Sequence, residues 1–168
     1  MKEWESIEKT KQVAFYLGLS ESIISLLSKS EFYEDARKAL NLCWEWFETK
    51  QISGDEIYTL LDDGTEDNGL FIQMQMDEDE ENTSIWECIV AAVSFVDKQA
   101  YESENELYLP SPIENVDDSL LSHFLENYSL INMTNKIEVE EFFNYLRSLE
   151  IYNKNDVMSF FVDSKKEI

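Results

Sequence analysis

Apolar positions along this chain recur mostly at three- and four-residue spacing, which predicts helices. Lys2 to Leu17 reads as a first helix, with Trp4, Ile7, Ala14 and Leu17 on its buried side and Gly18 just past its end. Ser20 is placed to cap a short second helix carrying Ile23, Ile24, Leu26 and Leu27. The third signal is stronger. Ala36, Ala39, Leu40, Cys43 and Phe47 form one stripe, while Glu34, Asp35, Arg37, Lys38, Glu45 and Glu48 fall mostly outside it. Ser53-Gly54-Asp55-Glu56 then opens a short fourth helix bearing Ile57, Leu60 and Leu61.

A polar break follows from Asp62 to Gly69, and after it comes the ambiguous run Leu70 to Met76. The later part of that run alternates like a short strand, but no mate for a strand is in view, so helix or irregular structure is favoured. Asp77 to Asn82 is a second acidic break. Thr83 or Ser84 then caps the clearest helix, with Glu87 at capping-box distance from Ser84. Its stripe is Ile85, Ile89, Ala92, Val93, Val96 and Ala100, broadened by Trp86, Val90 and Tyr101. Leu109-Pro110-Ser111-Pro112 is an extended or turning connection, because each proline disfavours α conformation in the residue before it. Asp117 or Asp118 caps a helix with Leu120, Leu121, Phe124, Leu125 and Tyr128. Ile137 to Leu149, using Phe142, Leu146 and Leu149, gives another, and a short helix near Asp156 to Val162 closes the series.

With only 4 Gly and 2 Pro in 168 residues, a sandwich or barrel that turns every few residues is excluded. The expected fold is all-α, a single-domain multi-helix bundle over 1–168 with acidic loops. Aromatics at 13% and apolar residues at 43% separate it from a disordered acidic tail.

Charge changes the picture most. Formal net charge is −23, from 13 basic and 36 acidic residues, and it is unevenly spread. Residues 51–135 hold 20 acids and one base, Lys98, whereas the flanking parts are each close to balance. The density peaks at Asp62, Asp63, Glu66, Asp67, Asp77, Glu78, Asp79, Glu80 and Glu81. Such a field repels nucleic acid and anionic membrane and attracts basic surfaces. It also destabilises the compact state by self-repulsion, and solubility alone needs fewer charges of mixed sign.

Catalytic chemistry finds little to work with. His123 is the sole histidine, between Ser122 and Phe124, with no partner or pocket to make it a general base. Cys43 and Cys88 read as buried reduced thiols, too far apart in sequence for a metal or redox motif. Asp62 to Gly69 superficially matches a calcium loop, but from Asp63 the glycine and terminal glutamate positions are Asn68 and Met74. No cofactor or metal is expected, and the chain is not expected to be an enzyme. The charged N-terminus leads into no apolar leader, and no apolar run approaches a membrane span. Cytoplasmic location is therefore expected. In Trp44-Glu45-Trp46-Phe47, packing of Trp46 or Phe47 competes with a binding role, and an exposed Trp44 would anchor a basic partner.

Several segments carry a resemblance. Ala39-Leu40-Asn41-Leu42-Cys43-Trp44-Glu45-Trp46, Ser53-Gly54-Asp55-Glu56-Ile57-Tyr58, Ile85-Trp86-Glu87-Cys88-Ile89, Ala100-Tyr101 and Leu109 to Val116 are similar to the mostly helical immunity proteins of bacterial polymorphic toxin systems. The sixth family of that numbered series resembles them best, over roughly residues 35–120. The resemblance implies a cytoplasmic antidote to a secreted or contact-delivered toxin, often a nuclease, and carries over no catalytic residue. The expected partner is the basic C-terminal domain of a cognate toxin, met by a monomer without direct contact to nucleic acid or membrane. An acidic DNA mimic or adaptor for a basic nucleic-acid-binding protein is the alternative. The expected docking residues are the nine acids of the two breaks, with Glu114, Asp117 and Asp118 as a weaker third group and Trp44 beside them.

Overall fold

The computed structural model describes residues 3–132 and 139–163. Nine α-helices lie among them, with no strand: α1 (Lys9–Ile23), α2 (Tyr33–Thr49), α3 (Gly54–Leu61), α4 (Leu70–Met76), α5 (Thr83–Ser103), α6 (Ser111–Glu114), α7 (Ser119–Leu130), α8 (Val139–Ser148) and α9 (Lys154–Asp163). The ambiguous run at 70–76 is therefore helix, and the alternative of a strand is corrected.

The 21-residue α5 is the axis, touching α1, α2, α3, α4, α6 and α7. The stripe read from sequence is buried, but so are Ser94, Asp97 and Gln99. A helix covered on nearly every side must bury its polar positions as well. Residues 12–20 of α1 are buried without interruption for the same reason, since α2, α5, α8 and α9 all pack on that helix. One hydrophobic cluster runs from Trp4 to Phe161.

Local chemistry sets the ends. Ser53 accepts from the Glu56 amide, and the Glu56 carboxylate accepts from the Ser53 amide at 2.9 Å, closing a capping box on α3. The box expected at Ser84 does not form. A 3-10 turn at Glu80–Asn82 leads straight into α5, which caps on Asn82 without a side-chain bond. The expected first helix also shifts: Trp4–Ser6 is a 3-10 turn, and α1 begins at Lys9. Gly18 lies inside α1, not past its end. A Cβ there would stand 2.5 Å from the Phe142 ring, so glycine is present to let α8 approach. The expected second helix is a 3-10 continuation, Ile24–Leu27, and Leu26 faces solvent. The helix expected from Ile137 is described from Val139; Ile137 lies outside the described residues, and Leu149 is exposed.

Gly69 has φ 96°, and a Cβ there would sit 2.6 Å from the Leu61 carbonyl oxygen. Only glycine makes that turn, which carries the chain from the first acidic loop into α4. Leu70 is then fully buried, and the Gln73 amide donates to Asp35 on α2 at 2.7 Å, so α4 is fastened from two sides.

Candidate partner-binding surface

In the loop before α4, residues 62–68 are all exposed. Asp62 accepts from the Gly64 amide and Asp63 from the Thr65 amide, both at 2.9 Å, so these two acids form turns with their own backbone. Hydrogen bonds from the Thr65 hydroxyl and amide hold the Asp63 carboxyl below its usual range. Glu66 and Asp67 project into solvent on the same loop.

The loop after α4 divides its acids by role. Asp77 is half-buried, and one of its oxygens accepts from Trp86 Nε1 at 2.8 Å, Ser30 Oγ at 2.8 Å and Asn82 Nδ2 at 3.0 Å. Its other oxygen accepts from the Asp79 amide at 3.1 Å. Desolvation alone would raise this carboxyl; the bonds from Trp86, Ser30, the Asp79 amide and Asn82 outweigh it and hold the group below the usual carboxylate range. Asp79 accepts from the Glu81 amide, and Glu78, Asp79, Glu80 and Glu81 are exposed. Asp77 thus ties the loop down while its neighbours face outward.

The third acidic group precedes α7. Glu114, Asp117 and Asp118 are exposed, and Asp117 accepts from the Ser119 amide at 2.8 Å. The Ser119 hydroxyl also donates to it, and these two bonds keep the Asp117 carboxyl low.

Trp44 does not fit the expected anchor. It is 4% exposed, and its indole N–H donates to Glu21 at 3.0 Å. Arg37 grips the same carboxylate through both terminal nitrogens at 2.7 Å, and Lys154 approaches it at 3.2 Å. The Lys154 ammonium also lies 5.4 Å from the Trp44 ring centroid. Desolvation would raise the Glu21 carboxyl, but Arg37 leads the groups that hold it low. The cation–aromatic attraction expected for a partner is satisfied inside the chain. Trp46 is likewise covered by Lys50, 4.0 Å from its ring.

What the sequence did not reveal is a groove of about 400 Å³ that opens between α4, α5, the segment 112–117 and α7. Phe71, Val90, Ala91 and Leu120 form its apolar floor, with Glu87 and Asp117 at its edge. His123 lines it too, with Nε2 2.8 Å from the Glu87 carboxylate. Phe71 belongs to α4, the helix that the two acidic loops flank. Glu87, assigned from spacing to a capping box, instead faces this groove.

Elsewhere, Asp97 on α5 is fully buried, and neither of its oxygens has a hydrogen-bond partner. Burial pushes its carboxyl up to about 8, with Asp55 and Glu104 adding to the shift. Asp55 accepts from Tyr101 Oη at 2.7 Å, and Glu104 accepts from the Gly54 amide at 3.2 Å. Among the described residues no group of His, Cys, Asp or Glu is arranged to hold a metal ion. No described helix is long and apolar enough to cross a membrane.

Helices wrapped around the buried α5 axis, with acids on exposed loops either side of α4, define an all-α multi-helix protein. The family match makes that class specific: residues 11–131 match the family described as Immunity protein Imm6, and the chain belongs to it. Membership implies an immunity protein against a toxin. The match covers α1 to α7 and stops before α8 and α9, which pack on α1. No curated protein and no solved structure matches the chain.

Proposed function

We propose that this protein is a monomeric cytoplasmic inhibitor, folded as a single domain, that neutralises a basic toxin domain of the nuclease class through its acidic loops. Nuclease clefts must hold phosphate and are therefore basic, so a surface of opposite sign competes for the same ground. The observation that carries this is the single base among 21 charged residues of 51–135, with the acids concentrated on exposed loops either side of α4. Electrostatic complementarity of this kind acts chiefly on encounter rate and partner choice.

The test uses the cognate toxin domain, produced with an inactivating substitution. Glu78→Lys, Glu80→Lys and Glu81→Lys are combined, and Asp77 is left in place because it holds the loop. Association at low salt should slow by about tenfold or more, with a shallower dependence on ionic strength. A folded variant that associates and protects cells like the parent removes the acidic loops from the interface.

A further inference from the structure

The groove beside α4 combines three properties. Its floor is apolar, with Val90 and Ala91 8% and 4% exposed on α5 and Phe71 and Leu120 partly covered on α4 and α7. Its edge carries Glu87, whose carboxylate already meets His123 Nε2 at 2.8 Å, and Asp117, which accepts from Ser119, and no Lys or Arg is among the residues that line it. It is also continuous, through Phe71 and Asp117, with the segments that carry all three acidic groups.

A floor that is greasy and a rim that is anionic ask for a side chain that is apolar along its stem and cationic at its tip. Arginine fits better than lysine. Its planar head bonds carboxylates through a fork, stacks on aromatic faces such as Phe71 and gives up its water more readily. Arginine is also over-represented among residues that dominate interface energies. The groove is open along its length rather than enclosed, which suits a protruding protein segment more than a small molecule.

We propose that this groove receives an arginine of the toxin, its stem on Phe71, Ala91 and Leu120 and its guanidinium at Glu87 and Asp117. The assignment rests on the toxin-binding reading above and locates the anchor within it. The acidic loops then set how fast the partners meet, and the groove sets how long they stay.

Two variants separate these roles against the same inactivated toxin domain. Ala91→Met fills the floor, and Glu87→Gln removes a rim charge at a partly exposed position while leaving an amide that can still meet His123. Each should raise the dissociation rate by about tenfold or more and leave association nearly unchanged, the reverse of the loop variant. Circular dichroism and a melting curve establish that each is folded; if Ala91→Met does not fold, Glu87→Gln decides alone. Parent-like dissociation in folded variants overturns the groove and leaves the acidic-loop reading standing. Faster dissociation in Ala91→Met with none in Glu87→Gln overturns arginine in favour of an apolar side chain. Loss of the loop effect with retention of both groove effects removes the loops and keeps the groove. A parent that does not bind that domain at all overturns both.

Discussion

Replacing Asp97 by Asn should stabilise the protein at neutral pH, and by an amount that grows with pH. The carboxyl is fully buried without a hydrogen-bond partner, close to Asp55 and Glu104, and its folded-state value is about 8. The groups around it that titrate are the Cys43 thiol on α2, Asp55 and Tyr58 on α3, and Tyr101 and Glu104 at the end of α5. None is cationic. In the unfolded chain the same acid titrates near its ordinary value of about 3.9. Below that value both states hold the proton and ionisation costs nothing. As pH rises from there towards 8, only the unfolded state releases its proton, so stability falls by about 1.4 kcal/mol per pH unit. At pH 7 the accumulated penalty is about 4 kcal/mol, a large share of the ~5–15 kcal/mol typical of a whole domain. Asn keeps the shape of the protonated acid and has no proton to lose. Urea denaturation followed by tryptophan fluorescence at several pH values gives the difference between variant and parent. That difference should climb steadily between about pH 4 and pH 8 and flatten outside that window, while other titrations common to both proteins cancel. A difference constant across the window would refute the account, since it would mean Asp97 folds with its charge solvated or paired.

Asp77→Ala should destabilise the fold by about 2–4 kcal/mol in the same assay, because Trp86 Nε1 and the Ser30 and Asn82 donors lose one shared acceptor. The parent's contribution from Asp77 is present above the ordinary carboxylate value and fades as pH falls through its lowered folded value, the opposite trend to Asp97. Cys43 and Cys88 are fully buried, and burial pushes both thiols up, with Asp97 adding to Cys43 and Glu87 to Cys88. A thiol reagent at mildly alkaline pH should leave both unlabelled in the native protein and label both in denaturant; rapid native labelling would contradict the packing.

Where helices are held by their own periodicity, the sequence was sufficient. The stripe Ala36, Ala39, Leu40, Cys43 and Phe47 of α2 and the stripe of α5 are buried as their spacing requires. What escaped was set by residues far along the chain. Gly18 reads as a helix terminator from its neighbours alone, and only Phe142 of α8 explains why it sits mid-helix. Trp44 stands beside Glu45 and Glu48 in sequence and so looks solvent-facing. In space its indole meets Glu21 and Lys154, and the helix turns that ring inward. Glu87 has the spacing of a capping residue, but the 3-10 turn before α5 leaves no free helix start for it to cap. The acidic loops were legible as composition. The groove was not, because Phe71, Glu87 and Asp117 come together only when α4, α5 and the start of α7 are packed.

The knot at Asp77 has a consequence for how the second loop behaves as a display. Five adjacent carboxylates, Asp77 to Glu81, would spread apart on a free tether, and a partner gathering them would lose affinity to the lost disorder. Here one carboxylate is spent on Trp86, Ser30 and Asn82, and the Asp79–Glu81 turn fixes the path beyond it. The remaining acids are therefore presented by backbone already in position, so on the proposed reading a cationic surface would engage them at little cost in ordering entropy. Sacrificing a single charge to the scaffold makes the others available as a pre-set pattern.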